Sequence, residues 1–217
     1  MDPEFWHQRW QAGQTGFHQA TPTTLLLRHW PSLGIEPGAR VFVPLAGKSR
    51  DMAWFAAQGY RVLGVELSQI AVDAFFAEHG LVPEIETSRY GVHHRAAGIE
   101  LIRGDAFALD AALLGDCAAA FDRAALVALP PELRARYVRE LHAQLPPGCR
   151  GLLVTLEYPQ ADRDGPPFSV DSTQVQALYA RDWQLELLDR RPIPPGHEGF
   201  LAGVSVLHTA VHALTRR

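Results

Sequence analysis

The chain reads as an α/β sandwich: a mostly parallel, seven-stranded sheet with an antiparallel closing strand and helices on both faces. Three observations predict it. From Arg40 to Glu157, short apolar runs rich in β-branched and aromatic residues alternate with segments of helical periodicity. Several of these runs end in Gly, Asp or Glu, as strands do when they leave a sheet. Beyond residue 183 the rhythm changes, and residues 184–191 and 201–213 alternate in period two, the mark of paired antiparallel strands. Strand–helix–strand units close as right-handed parallel crossovers, so the strand ends of such a chain share one edge.

The elements follow in order. Residues 1–39 stand apart, with Trp6, Trp10, Phe17 and Trp30 among Pro3, Pro22, Pro31 and Pro37. Leu25, Leu26, Leu27 and Trp30 suggest a helix that docks on the domain, and Pro37-Gly38 is a turn before the first strand, 40–44. Asp51–Gln58 carries Met52, Phe55 and Ala56 on one helical face, and Gly59 stops it. Tyr60–Val65 is the second strand and ends at Glu66. Ser68 caps a helix to His79 with Ile70, Ala71, Ala74 and Phe75 at helical spacing. Residues 84–97 are polar and read as a hairpin or loop, with His93-His94 a solvated pair. Ile99–Arg103 is the third strand, followed by Gly104-Asp105, and Cys117–Phe121 the fourth, followed by Asp122-Arg123. Pro130-Pro131 opens a helix with Leu133, Tyr137, Val138, Leu141 and Leu145 inward and Arg134, Arg136, Arg139 and Glu140 outward. Pro146-Pro147-Gly148 ends it, and Gly151–Glu157 is a long strand expected at the centre of the sheet. Residues 159–169 form a surface loop, Asp171–Tyr179 a short helix, and PIPPGHEGF joins the closing strands.

Composition limits the function classes. The 217 residues are 47% hydrophobic, enough for one domain spanning 1–217 with a full core. The formal net charge is −4 with both signs interspersed, so no basic surface for nucleic acid is expected. No apolar run reaches the roughly 18–20 residues of a membrane span. MDPEFWHQRW lacks the basic and apolar regions of a signal peptide, and a cytoplasmic protein is expected. Cys117 and Cys149 begin apolar runs and read as small core residues rather than a disulfide or nucleophiles.

Several phosphate and metal motifs fail. PLAGKS resembles the end of a phosphate-binding loop, but Phe42 stands where that loop needs glycine five residues before Gly47. No G-x-G-x-x-G follows the first strand, and one glycine leaves little room for a pyrophosphate. Asp162, Asp164 and Gly165 are followed by Pro166 and Pro167, which breaks a calcium loop. What survives is a set of four strand ends: Leu45-Ala46-Gly47, Glu66, Gly104-Asp105-Ala106 and Asp122-Arg123. Glu66 lies 19 residues after Gly47, near the spacing at which an acid meets a nucleotide ribose. Taken singly, Glu66 could be a solvated acid, Asp105 a helix cap and Arg123 half of a surface ion pair. Their joint placement points to a nucleoside cofactor without a bridging diphosphate, with Asp105 near an exocyclic amine and Arg123 near the acceptor.

Four stretches carry a resemblance over nearly the whole length: FWHQRWQAGQTGFHQ, VPLAGKSRDMAWFAAQGYRVLGVELS, FDRAALVALPPELRARYV and LLVTLEYPQADRDGPPFSV. In these the chain resembles the bacterial type of the thiopurine S-methyltransferase family, a branch of the class I S-adenosylmethionine-dependent methyltransferases. The family loop is usually PLCGKS, and Ala46 replaces its cysteine. The resemblance implies a Rossmann-like seven-stranded sheet, S-adenosylmethionine as donor and S-adenosylhomocysteine as product. It implies cofactor contacts at Trp10, Leu45, Glu66 and Arg123, beside which Gly47, Asp105, Ala106 and Trp6 are candidates. Trp6 and Phe17 would help cover the site, making 1–39 an aromatic lid; alternatively Trp6 and Trp10 are one buried helix face. Arg123 would orient the acceptor, and Asp122 and His18 are candidate bases. Phe17, Phe168 and Phe200 are candidate acceptor contacts, the last two equally readable as anchors of their loops. The implied acceptor is a small-molecule thiol or a selenium or tellurium compound, with no nucleic-acid or membrane partner and a monomeric chain. The residues alone leave two other readings open: a nicotinamide-dependent oxidoreductase, and an S-adenosylmethionine-binding protein without catalysis.

Overall fold

The structure, a computed structural model, describes residues 3–217. The first two residues of the expected lid and domain lie outside the described residues. Helix α1 (Pro3–Gln11) leads to α2 (Thr24–His29), which tightens into a 3-10 turn at Trp30–Leu33. Then come β1 (Arg40–Val43), α3 (Arg50–Ala57), β2 (Arg61–Glu66) and α4 (Gln69–Glu78). A hairpin of β3 (Glu84–Ser88) and β4 (Gly91–Ala96) precedes β5 (Ile99–Arg103) and α5 (Ala111–Leu114). The chain continues through β6 (Cys117–Arg123), α6 (Pro131–Arg136), β7 (Arg150–Glu157) and α7 (Ser172–Tyr179). It closes with β8 (Trp183–Pro192) and β9 (His208–Arg216).

The strands form one sheet in the order β3-β4-β5-β2-β1-β6-β7-β9-β8. β5, β2, β1, β6 and β7 are parallel, and β9 and β8 close one side antiparallel. Ser49 and Ser68 cap α3 and α4 by accepting from the N–H groups of Asp51 and Ala71. Helices α2, α3 and α4 cover one face with Leu26, Phe55 and Phe75, and α5, α6 and α7 cover the other with Leu114, Leu133 and Tyr179.

The sheet has nine strands rather than seven because residues 84–96 pair as a hairpin on the edge of β5. That pairing buries His93 and His94, correcting the solvated pair. They point to opposite faces of β4, and each finds a partner: His93 contacts Glu100 at 2.7 Å and Ser88 at 2.5 Å, while His94 stacks on Phe76. β1 is the middle strand, and β7, expected at the centre, lies off it between β6 and β9. β9 begins at His208, not 201, because Val204 and Leu207 pack with Tyr158 in a small cluster outside the sheet. The helix after Pro130 is regular only to Arg136, then widens into a π turn at Tyr137–Leu141. Arg134, expected outside, is buried: it donates to the Leu129 carbonyl at 2.7 Å and to Gln174 at 3.0 Å, and lies over the Phe168 ring. The free cysteines, Cys117 and Cys149, are both core residues.

The segment before β1 divides physically. α1 and Phe17 lie over the carboxyl edge, whereas Leu26, Trp30 and Leu33 belong to the main core. Trp30, 2% exposed, meets Phe55 at 4.5 Å, Tyr60 at 5.9 Å and Phe121 at 6.4 Å between ring centroids. Trp30→Ala should therefore cost roughly 3–5 kcal/mol of folding stability in denaturant titration. A loss below about 1 kcal/mol would show that the segment is an appendage rather than core.

Candidate functional site

Parallel pairing brings the predicted strand ends to one edge. Val43 is in register with Gly64, Glu66 with Arg103, and Arg123 with Val154. The loop 44–49, Glu66, Gly104 and Arg123 therefore leave the sheet side by side. Leu45 takes φ 46° and Gly47 φ 54°, and the left-handed value is uncommon for a leucine. The loop is held in that shape by the Ala46 N–H on the Val65 carbonyl at 2.8 Å and the Ser49 N–H on the Ala46 carbonyl at 3.0 Å.

Glu66 is buried, and both its oxygens are engaged. Oε2 accepts from the Gly47 N–H at 2.9 Å and Oε1 from the Ser68 N–H at 2.7 Å. Burial pushes its pKa up, and these backbone donors pull against that shift. Each oxygen keeps a second acceptor direction for a ligand hydroxyl. Above this pair lies the aromatic segment. A Cβ placed on Gly47 would meet the Trp10 ring at 3.3 Å and the Phe17 ring at 4.0 Å. Phe17 sits edge-on between Trp10 and Trp6, with centroids 5.5 and 6.0 Å away. The loop and the segment after α1 also meet at Glu78, at the end of α4, which pairs with Lys48 and lies 3.9 Å from His18.

The remaining candidates separate. Asp105 is exposed and caps the short turn 106–108 by accepting from the Phe107 N–H at 2.9 Å; Ala106 is buried beneath it. Asp122 and Arg123 point to opposite faces of β6. Asp122 turns into the core, where its carboxylate accepts from the Tyr137 hydroxyl at 2.8 Å and the Leu126 N–H at 3.1 Å. That placement points away from a role as base at the edge. His18 lies 3.9 Å from Glu78, and burial first, then Lys48, lowers its pKa. Phe168 packs under Arg134 and beside Gly165, and Phe200 joins the cluster of Tyr158, Val204 and Leu207. Both sit as anchors of their loops.

Arg123 is mostly buried and faces α3, where Asp51 Oδ2 lies 3.7 Å from Nη1. Burial lowers the guanidinium's pKa, and Asp51 opposes that shift. Sequence reasoning missed Asp51. An acid in the first turn of a helix ordinarily reads as a partner of the helix dipole, and its one distinguishing signal was its place four residues after Gly47.

A parallel core, an antiparallel closing pair and an acid at the end of the second parallel strand are the class I S-adenosylmethionine-dependent methyltransferase fold. The protein of the conversion of a disulfide bond into a thioacetal group in echinomycin biosynthesis shares it, with TM-score 0.69 and 14% identity over 99% of this chain and 92% of that one. So does Burkholderia thailandensis 1,6-didemethyltoxoflavin-N1-methyltransferase, solved with S-adenosylhomocysteine, with TM-score 0.65 and 19% identity over 99% and 86%. Residues 1–217 match the family model for thiopurine S-methyltransferase. The thiopurine S-methyltransferase of Nitrosomonas eutropha is 57% identical over 100% of this chain and 99% of its own, and that of Xanthomonas campestris pv. campestris strain 8004 is 56% identical over 100% of both. The chain belongs to the thiopurine S-methyltransferase family and is an S-adenosylmethionine-dependent enzyme. The family sets aside the oxidoreductase and non-catalytic readings. Among the described residues no helix is long and apolar enough to cross a membrane.

The buried pair behind the edge has a pH signature. Burial raises Asp122 to about 6 from 3.8, and lowers His142, 3.8 Å away, to about 3 from 6.5. The neutral His142 contributes stability that is full above pH 6.5 and is lost as pH falls toward 3. The protonated Asp122 contributes stability that is full below pH 3.8 and is lost as pH rises through 6. Urea titrations of His142→Phe should thus gain relative to the parent on acidification, and Asp122→Asn on alkalinisation, each by up to about 1.4 kcal/mol per pH unit. Stability curves parallel to the parent from pH 4 to 6.5 would sink this assignment.

Proposed function

We propose that this enzyme methylates the sulfur of a small heteroaromatic thiol, thiopurines among them, or a selenium or tellurium nucleophile. The contact series Glu66, Gly47 and Trp10 carries the reading: a buried acid bonded to a residue without a side chain, over which an aromatic ring lies. Its residues suit S-adenosylmethionine. The free acceptor directions of Glu66 would take two ribose hydroxyls, strengthened by its charge. The backbone of Leu45 and Gly47 would lie along the ligand, with Asp105 and Ala106 beside its base.

When bound, S-adenosylmethionine supplies a methyl group carried on a sulfonium and leaves as neutral S-adenosylhomocysteine. The protein's part is alignment and exclusion of water. Trp10, Phe17 and Trp6 close the edge, and aromatic faces favour positive charge. Arg123 orients the acceptor and favours its thiolate, since an adjacent cation stabilises an anion. No side chain need remove a proton: heteroaromatic thiols ionise readily, and Asp122 turns into the core. We propose further that the chain works as a single domain, a monomer in the cytoplasm. Its two thiols, free and pushed up to about 12 by burial, suit a reducing compartment.

Two measurements test this. Trp10→Ala should weaken S-adenosylhomocysteine binding in calorimetry by about tenfold, or 1.4 kcal/mol. Arg123→Ala should cut kcat/KM for a heterocyclic thiol by at least about tenfold. Tight cofactor binding without methyl transfer to heterocyclic thiols, selenite or tellurite would defeat the acceptor assignment.

A further inference from the structure

We infer that Asp51 is a positioning residue, tying the root of the aromatic cover to the guanidinium that meets the acceptor; this rests on the role proposed for Arg123. Asp51 sits in the first turn of α3, directly behind the loop that carries Gly47, and is 2% exposed. Its two oxygens face different parts of the molecule. Oδ1 accepts from the Thr23 N–H at 2.9 Å. Oδ2 accepts from the Ser49 hydroxyl at 2.9 Å and lies 3.7 Å from Arg123 Nη1.

Thr23 is where the cover ends and the core begins. Before it run Phe17 and residues 18–22; after it α2 starts, capped by the Thr23 hydroxyl, and plants Leu26 and Trp30 in the core. The contact with Asp51 therefore sets where the covering segment leaves the body of the protein. The contact with Arg123 is of another kind. At 3.7 Å it is a charge attraction rather than a hydrogen bond, and among the described residues no hydrogen bond occupies the guanidinium. Arg123 is thus held in place by a desolvated carboxylate while its five N–H donors stay available for an acceptor. Among the described residues Asp51 is the one acid paired with it. One carboxylate so links the placement of the cover, the β1–α3 loop and the acceptor-side cation.

A mutant cycle separates this role from mere structural support. Asp51→Asn keeps an amide oxygen for the Thr23 N–H and removes the charge that holds Arg123. It should lower kcat/KM for a heterocyclic thiol by about tenfold while S-adenosylhomocysteine affinity stays within about twofold. In an Arg123→Ala background the same substitution should have no further effect. The cover limb is read separately. Thr23 has φ −64°, which proline accepts, so Thr23→Pro deletes the N–H without forcing the backbone, and Thr23→Ala controls for the lost hydroxyl. Thr23→Pro should bind S-adenosylhomocysteine about fivefold more weakly than Thr23→Ala. Asp51→Glu, which keeps the charge, should retain more turnover than Asp51→Asn, and decides the charge limb should the latter fail to fold. An equal loss from Asp51→Asn in both backgrounds, or equal binding by the two Thr23 variants, overturns the inference. No effect of Arg123→Ala on its own would instead overturn the role of Arg123, and this inference with it.

Discussion

The site depends on a buried carboxylate shared between two strand ends. Glu66 belongs to β2, yet one of its oxygens holds the Gly47 N–H from the loop after β1, and the other holds the Ser68 N–H that opens α4. A buried carboxylate is costly unless donors satisfy it, so these bonds fix the acid and the loop in one geometry. The left-handed backbone at Leu45 and Gly47 is held by this contact together with the Ala46 N–H on the Val65 carbonyl and the Ser49 N–H on the Ala46 carbonyl. Trp10 can then settle on Gly47 because no side chain intervenes. Loosening Glu66 would disturb the loop, the start of α4 and the seat of the cover together.

The two-residue period of a strand does further work at β6. Asp122 and Arg123 are neighbours in sequence, and the pleat sends them to opposite layers. Asp122 joins Tyr137 and His142 in the core beneath the π turn, while Arg123 reaches α3 and the edge. The π turn widens the helix where the Tyr137 hydroxyl meets Asp122. Such turns are rare and cluster near functional sites, and this one backs the strand that delivers Arg123.

Much of this was legible in the sequence, for identifiable reasons. Parallel strands announce themselves as apolar runs, so β1, β2, β5, β6 and β7 were found, and with them the edge that gathers Glu66, Gly47 and Arg123. β3 is exposed along its whole length, with Ile85 its one apolar side chain, so residues 84–97 read equally as hairpin or loop. His93, His94 and Arg134 read as solvated by residue type, yet each is itself buried, with a partner that lies far off in the chain or on the next strand. Asp51 was invisible for the same reason. Its meaning comes from Thr23 and Arg123, 28 residues before it and 72 after.

The pairing of Asp51 with Arg123 also fits the electrostatics of the reaction. A donor that carries positive charge is repelled by a bare guanidinium, and the low dielectric of a closed site strengthens that repulsion. Yet an ionised thiol acceptor benefits from a nearby cation. On the role proposed for Arg123, a buried acid beside the cation would answer both demands: the pair would be near neutral when viewed from the cofactor, while the guanidinium's N–H donors would be left for the acceptor. Aromatic cover serves the same balance, since rings exclude water without adding charge. The positive charge on the donor disappears as the methyl group moves, so such a site has more to gain from holding fixed geometry than from stabilising new charge. The buried hydrogen bonds of Glu66 and Asp51 supply that fixed geometry.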